Sequence, residues 1–210
     1  MGIENLEFII VIISISGFFY LLYFFIKWQK KKLTNHWTIL ARDLKMNVDI
    51  PKSFWSAFLN KFPSINGLLN GMPFSCYMYA RSAGNSQSYH CTFSLVLEQT
   101  NNKTFRLYKE GFFSKVGKAL GGQDVQVGHD DFDNAYLIKS NDETFIKRLL
   151  NPRIRQLILR KLPKMRGEFS LDNNVLKYDA MITLNTEKNR SEIFETIKIA
   201  EELAKELQKM

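Results

Sequence analysis

Hydrophobic residues change their rhythm along this chain. From Phe8 to Ile26 they run on as FIIVIISISGFFYLLYFFI, with no charged residue. Such a stretch matches the roughly 20 apolar residues that carry a helix across about 30 Å of hydrocarbon. Ser14, Ser16 and Gly17 are tolerated within it, because a helix satisfies its own backbone groups. Next, Leu33, Trp37, Leu40, Ala41 and Leu44 recur at helical spacing, which predicts an amphipathic helix carrying the span through a run of lysines. Pro51 and the following WSAFLNKF predict a second, short helix, ended by Pro63 and the pair Asn66-Gly67.

The rhythm then turns to strands. LLNGMPFSCYMYARS, SYHCTFSLVLEQ and TFRLYKE are rich in aromatic and β-branched residues and are punctuated by Asn70-Gly71, Ala83-Gly84-Asn85 and Asn101-Asn102. They predict antiparallel strands joined by hairpins. Phe93, Leu95 and Leu97 alternate with Thr92, Ser94 and Glu98, the pattern of a strand with one core face, although Val96 breaks it. After a glycine-rich connection from Gly111 to Asp133 come a strand, AYLIKS, and two short helices. Asn141 or Asp142 caps the first, and Asn151, with Pro152 in the first helical position, caps the second. GEFSLD and VLKYDAMITL, about the turn Asn173-Asn174, predict a last hairpin. Ser191 then caps a terminal helix whose apolar stripe is Ile193, Phe194, Ile197, Ala200, Leu203, Ala204 and Leu207.

The fold class expected is therefore α+β: an antiparallel sheet of about five or six strands packed by a C-terminal helix and preceded by one N-terminal transmembrane helix. Residues 1–32 form the anchor with its basic flank, and 33–210 form one domain.

Charge gives the anchor a direction. Met1 to Glu7 carries Glu4 and Glu7 but no Lys or Arg, unlike a cleaved signal peptide, whereas Lys27, Lys30, Lys31 and Lys32 follow the span. The positive-inside rule then gives a single-pass protein of the inner (plasma) membrane, N-terminus outside and domain cytoplasmic. Cys76 and Cys91, the only cysteines, lie in apolar strand runs and read as buried free thiols, which suits a reducing compartment.

Two clusters invite functional readings. The net charge of +8 is unevenly placed, in the lysines that follow the span and in the stretch from Phe145 to Arg166, which includes Arg153, Arg155, Arg160, Lys161 and Lys164 and no acid. Ile154, Leu157, Ile158 and Leu162 would dock that helix and turn its cations outward, toward anionic lipid or a protein partner. No RNA-binding motif or zinc finger supports nucleic acid as the ligand. The second cluster is acidic: Asp124, His129, Asp130, Asp131 and Asp133. It could hold a divalent cation, yet it lacks the spacing of an EF-hand, and Asp near a strand end ordinarily makes turns. Gly117-Lys118-Ala119 lacks the hydroxyl of a Walker loop, and no G-x-S-x-G elbow accompanies the serines and histidines.

Gln123, Asp124, Val125, Gly128, Phe132, Asp133, Leu149 and Leu150 form a pattern that resembles one in uncharacterised bacterial membrane-anchored proteins, of the type Q-D-V-x-V-G-x-x-x-F-D. The resemblance covers about a quarter of the chain and implies a bacterial origin and no activity. The function expected is a membrane-anchored, non-enzymatic binding or assembly module, acting at the cytoplasmic membrane surface through a protein or anionic-lipid contact, with no cofactor and no resident metal. The alternative is a membrane-tethered hydrolase that uses the Asp124–Asp133 loop, with or without a metal.

Overall fold

The apolar run and the amphipathic segment after it form one helix. In the computed structural model, which describes residues 3–51, 61–84, 86–109, 123–163 and 165–210, helix α1 extends unbroken from Ile3 to Asp43. At about 1.5 Å per residue it is roughly 60 Å long, twice the thickness of a hydrocarbon core. Side chains from Ile10 to Phe25 are exposed, while Trp37, Leu40 and Ala41 are buried in the domain. The helix closes when Lys45 turns left-handed (φ 56°) and the Met46 amide donates to the Ala41 carbonyl at 2.8 Å.

Strands β1 (Asn47–Asp49), β2 (Ser64–Leu69), β3 (Met72–Ala83), β4 (Ser86–Val96), β5 (Phe105–Lys109) and β6 (Gln123–Asp124) follow. Then come α2 (Asp130–Asp133), β7 (Tyr136–Ser140), α3 (Glu143–Leu149), α4 (Pro152–Lys161), β8 (Gly167–Asp172), β9 (Val175–Ala180) and α5 (Glu187–Leu207). Among the described residues the strands make a single antiparallel sheet of nine, in the order β1-β2-β3-β4-β9-β8-β5-β7-β6. The α+β class with one long apolar helix is as the sequence foretold.

The strand count differs from the expected five or six for a physical reason. β1 and β6, of three and two residues, are too short to display alternation, and β2 contains the Asn66-Gly67 pair that reads as a stop signal. Strand order also departs from a run of hairpins: β4 pairs with β9, and β5 lies between β8 and β7. Asn174 helps to hold the hairpin β8–β9 in that place. Its carbonyl accepts from the Leu97 amide at 2.8 Å, and its side-chain oxygen accepts from the Thr100 amide and hydroxyl at 3.1 and 2.6 Å. Asn173 and Asn174 both adopt positive φ, 48° and 62°, as a tight two-residue turn demands.

Helix α5 starts earlier than expected, because Thr186 and not Ser191 is its cap, accepting from the Asn189 amide at 3.2 Å. The caps Asp142 and Asn151 are as expected. The short helix expected over WSAFLNKF falls outside the described residues up to residue 60, and Lys61 and Phe62 are not helical; the part of the glycine-rich connection from Gly111 to Gly122 also lies outside the described residues.

Register sorts the side chains into two opposed faces. One cross-strand row reads Cys76, Phe93, Tyr178, Phe169, Leu107, Ile138, and it shares a core cluster with the buried side chains of α1, α3, α4 and α5. Helix α5 packs over β4 and β9 and touches α1, α3 and α4. Gly167 is required here, because a Cβ would collide with the Asp179 carbonyl and the Tyr178 ring. Cys76 and Cys91 are buried free thiols in this layer, and the contact between them together with burial raises the Cys91 pKa well above that of an ordinary thiol. Burial also pushes the Tyr136 phenol up to about 12, its hydroxyl donating to the Leu162 carbonyl.

Candidate functional site

The acidic segment folds as a tied turn. Gly128 supplies a positive φ of 73°, and Asp133 then reaches back with both oxygens, accepting from the Val127 amide at 2.9 Å and the His129 amide at 3.0 Å. Phe132 is fully buried with its ring 4.8 Å from that of Tyr136, so the G-x-x-x-F-D pattern is a loop anchor. Asp130 and Asp131 are exposed on the first turn of α2, and Asp124 lies 3.7 Å from Lys139 on β7. His129 caps α2 with its backbone, and its Nδ1 is buried without a partner among the described residues. No group of three or more His, Cys, Asp or Glu among the described residues could hold a metal ion.

The cations of α4 meet the acids of α5. Arg153 lies 2.6 Å from Glu202 and 3.0 Å from Glu206, which raise its pKa, and Lys161 lies 2.9 Å from Glu195. Arg166, beyond the helix, holds both oxygens of Glu192 at 3.0 and 2.5 Å. Arg155 turns inward and donates to the Val127 carbonyl at 2.9 Å, clamping the same turn that Asp133 closes. Arg160 is exposed with no partner among the described residues, and Lys164 lies outside them. Among the described residues the two clusters meet only where Arg155 reaches the Val127 carbonyl.

A network that sequence reasoning did not assemble lies on the opposite face of the sheet. His90, only 6% exposed, sets Nδ1 2.8 Å from Asp179 Oδ1, and Tyr79 donates to Asp179 Oδ2 at 2.5 Å while stacking on the imidazole. Ser88 Oγ lies 3.2 Å from His90 Nε2 and also 3.2 Å from the Arg81 carbonyl, to which it donates. The serine, imidazole and carboxylate have the order of a hydrolase triad, but Tyr79 shares the carboxylate and no cavity adjoins Ser88 among those described. The network satisfies a buried histidine.

The feature with the clearest capacity for a ligand sits where α1 enters the domain. Phe25, Gln29 and Leu33, with Ile26, Lys30 and Thr34 beside them, repeat every four residues and so share one side of α1. That side forms a wall of a groove of about 370 Å³. Ile50, Pro51, Phe62, Pro63, Met78 and Tyr89 also line it, together with Lys61, Thr183 and Asn185. Tyr89 is held edge-on to Phe62 at 5.6 Å. The lining is predominantly apolar, with Gln29, Lys30, Thr34, Lys61, Thr183 and Asn185 as polar groups. Around the same helical turns Trp28 carries Lys32 over its ring at 4.0 Å, and Tyr23 carries Lys27 at 6.0 Å. These are the aromatic and basic residues of a membrane–water boundary. The groove thus begins at the C-terminal end of the apolar run, where Phe25 and Ile26 line it. Its signal in the sequence was limited to Phe25, Ile26 and Leu33 on one side of α1, because the rest of its lining comes from β3, β4 and segments elsewhere in the chain.

Fold and groove together define a class: a sheet-and-helix domain fused to a helix long and apolar enough to cross a membrane, with a cavity at the junction. No protein-family model matches the chain, and no curated protein matches it in sequence. Among solved structures it is similar to the mycobacterial trehalose monomycolate transport factor A, TtfA, with a TM-score of 0.54 over 84% of this chain and 94% of that one, at 10% identity. At that identity the likeness is one of fold.

Proposed function

We propose that the protein is a single-pass, non-enzymatic binding module of the inner (plasma) membrane, with an anchor over residues 1–32 and a cytoplasmic domain over 33–210, which takes the acyl chain of a membrane lipid into the groove beside α1. The observation that carries this reading is the groove's composition. Phe25 and Ile26 belong to the apolar run itself, so a lipid tail can enter from the bilayer without crossing water. A cavity of this size, apolar with a few polar groups, is typical of small-molecule sites. Lys30 and Lys61 at the same site suit an anionic head group. The fold shared with a trehalose monomycolate transport factor is in keeping with a lipid ligand. The cytoplasmic placement rests on the lysines that follow the span. Because Arg153 and Lys161 face α5 carboxylates, the groove is a better seat for the lipid contact than α4.

Full-length protein in nanodiscs containing a phospholipid with a photoactivatable acyl chain tests the reading. Adducts are expected on residues 25–34 and on Met78 or Tyr89, and Thr34→Trp, which fills the groove, should reduce the domain adducts severalfold. Adducts confined to residues 8–24, as for any spanning helix, would overturn it. Charge reversal of Arg160 should leave the adducts unchanged; a comparable loss there would return the contact to the basic helix.

A further inference from the structure

The face of the sheet turned away from the helices carries a row of cations in register. Across successive strands the paired residues are Asp124 on β6, Lys139 on β7, Arg106 on β5, Ser170 on β8, Lys177 on β9 and Ser94 on β4. Lys139 and Arg106 are direct cross-strand partners, an arrangement of like charges that destabilises a sheet when nothing offsets it. Lys177 lies two strands beyond Arg106, with the Ser170 hydroxyl between them. Neighbouring strands are about 4.8 Å apart, so the three cations span roughly 14 Å of backbone.

Each has one internal carboxylate within 4 Å, but the pairing is incomplete. Arg106 meets Glu168 with its Nε at 3.1 Å, and no side-chain hydrogen bond of its terminal nitrogens occurs among the described residues. Lys139 and Lys177 approach Asp124 and Asp179 at 3.7 Å each, beyond hydrogen-bond range. Asp179 is already held by His90 and Tyr79, and Asp124 is 71% exposed. The cations are nonetheless half-buried, with side-chain exposures of 30% for Arg106, 23% for Lys139 and 41% for Lys177. All three line a concavity of about 520 Å³, which Ser170 and Asn141 share. Asp172 lines it too and is the one acid that does, so the lining keeps an excess of positive charge.

We propose that this concavity binds a phosphorylated small molecule carrying at least two negative charges. The terminal guanidinium nitrogens of Arg106 and the ammonium groups of Lys139 and Lys177 hold the phosphate oxygens, and the Ser170 hydroxyl donates at the centre. A bidentate guanidinium flanked by ammonium groups is the donor set that phosphate oxygens select. The site is independent of the acyl-chain groove. It lies at the Val175 end of β9, whereas the groove adjoins the Ala180 end, where Ala180 pairs with Cys91 two residues from Tyr89. Five residues of strand separate those ends by on the order of 17 Å.

Inorganic diphosphate, titrated calorimetrically into the full-length protein in nanodiscs, tests the site. Saturable binding is expected that weakens at least tenfold in Arg106→Gln and in Lys177→Gln, while Lys188→Gln, an exposed cation on α5, binds as the native protein does. Lys139→Gln separates ligand binding from folding, because it should raise the Tm of the free protein by relieving the Arg106 repulsion and still lower the affinity. Phosphatidylcholine discs should give the same affinity as discs containing phosphatidylglycerol. A loss of affinity in the anionic discs would make the phosphate source a lipid head group and overturn the small-molecule assignment. Absent binding, or binding equal in all variants, would remove the site altogether.

Discussion

The two faces of the sheet are built from the same strands and the same register, yet they treat their side chains in opposite ways. On the helix-covered face, the row through Phe93 and Tyr178 is closed: each ring packs on others, with Phe93 5.5 Å and Phe169 4.7 Å from Tyr178. On the other face, the row through Arg106 and Lys177 keeps donors that no internal group takes up. Apolar contacts are satisfied by any close neighbour, so a core saturates itself. Ionic groups need particular partners at hydrogen-bond distance, and a row that lacks them is open to a ligand.

The largest expected difference between the faces is in stability. Phe93→Ala should cost about 3–5 kcal/mol, through lost burial and the cavity left behind. Its neighbour Ser94→Ala on the opposite face loses only the 2.8 Å hydrogen bond to the Ser75 hydroxyl and should cost about 1 kcal/mol. Denaturant unfolding of both variants measures the contrast, and equal losses would mean that the polar face is also a packed interface. A smaller effect is expected where the polar face is internally satisfied: Asp179→Asn weakens the partners of the buried His90 and of Tyr79 and should cost about 1–3 kcal/mol in the same assay. No measurable loss would make that network ornamental to the fold.

The smallest expected effect is a pH dependence at the edge of the cationic row. Burial outweighs the attraction of Arg106 and raises the Glu168 pKa above that of an ordinary glutamate. The native state therefore holds this proton more tightly than the unfolded chain does, and stability contributed by Glu168 falls as pH rises from its unfolded pKa through its folded one. Glu168→Gln should flatten that part of the stability–pH profile, measured by thermal unfolding at a series of pH values. An unchanged profile would assign the slope to other groups.

Much of the architecture was legible because local chemistry settles it. The unbroken run from Phe8 to Ile26 made its own helix, the pairs Asn70-Gly71, Asn101-Asn102 and Asn173-Asn174 made tight turns, and Asp142 and Asn151 capped the helices read for them. The motif containing Gly128, Phe132 and Asp133 was visible too, and its role as a closed turn is what short-range hydrogen bonding would give. β6 was hidden by length, and the helix-like stop signal Asn66-Gly67 concealed β2. The basic stretch was visible as composition, but its partners Glu195, Glu202 and Glu206 lie on another helix, so the sequence could not show which charges were already paired.

By itself, then, the sequence determined the apolar helix, the α+β class and the ends of most elements, since these depend on residues within a few positions of one another. The tertiary structure alone decided that β9 lies beside β4, that Arg153 faces α5, and that Phe25 shares a groove with Met78 and Tyr89. It also decided which cations line up across β7, β5 and β9. Those are pairings between distant segments, set by the strand order and by the docking of helices on one face, and periodicity along a single chain carries no record of them.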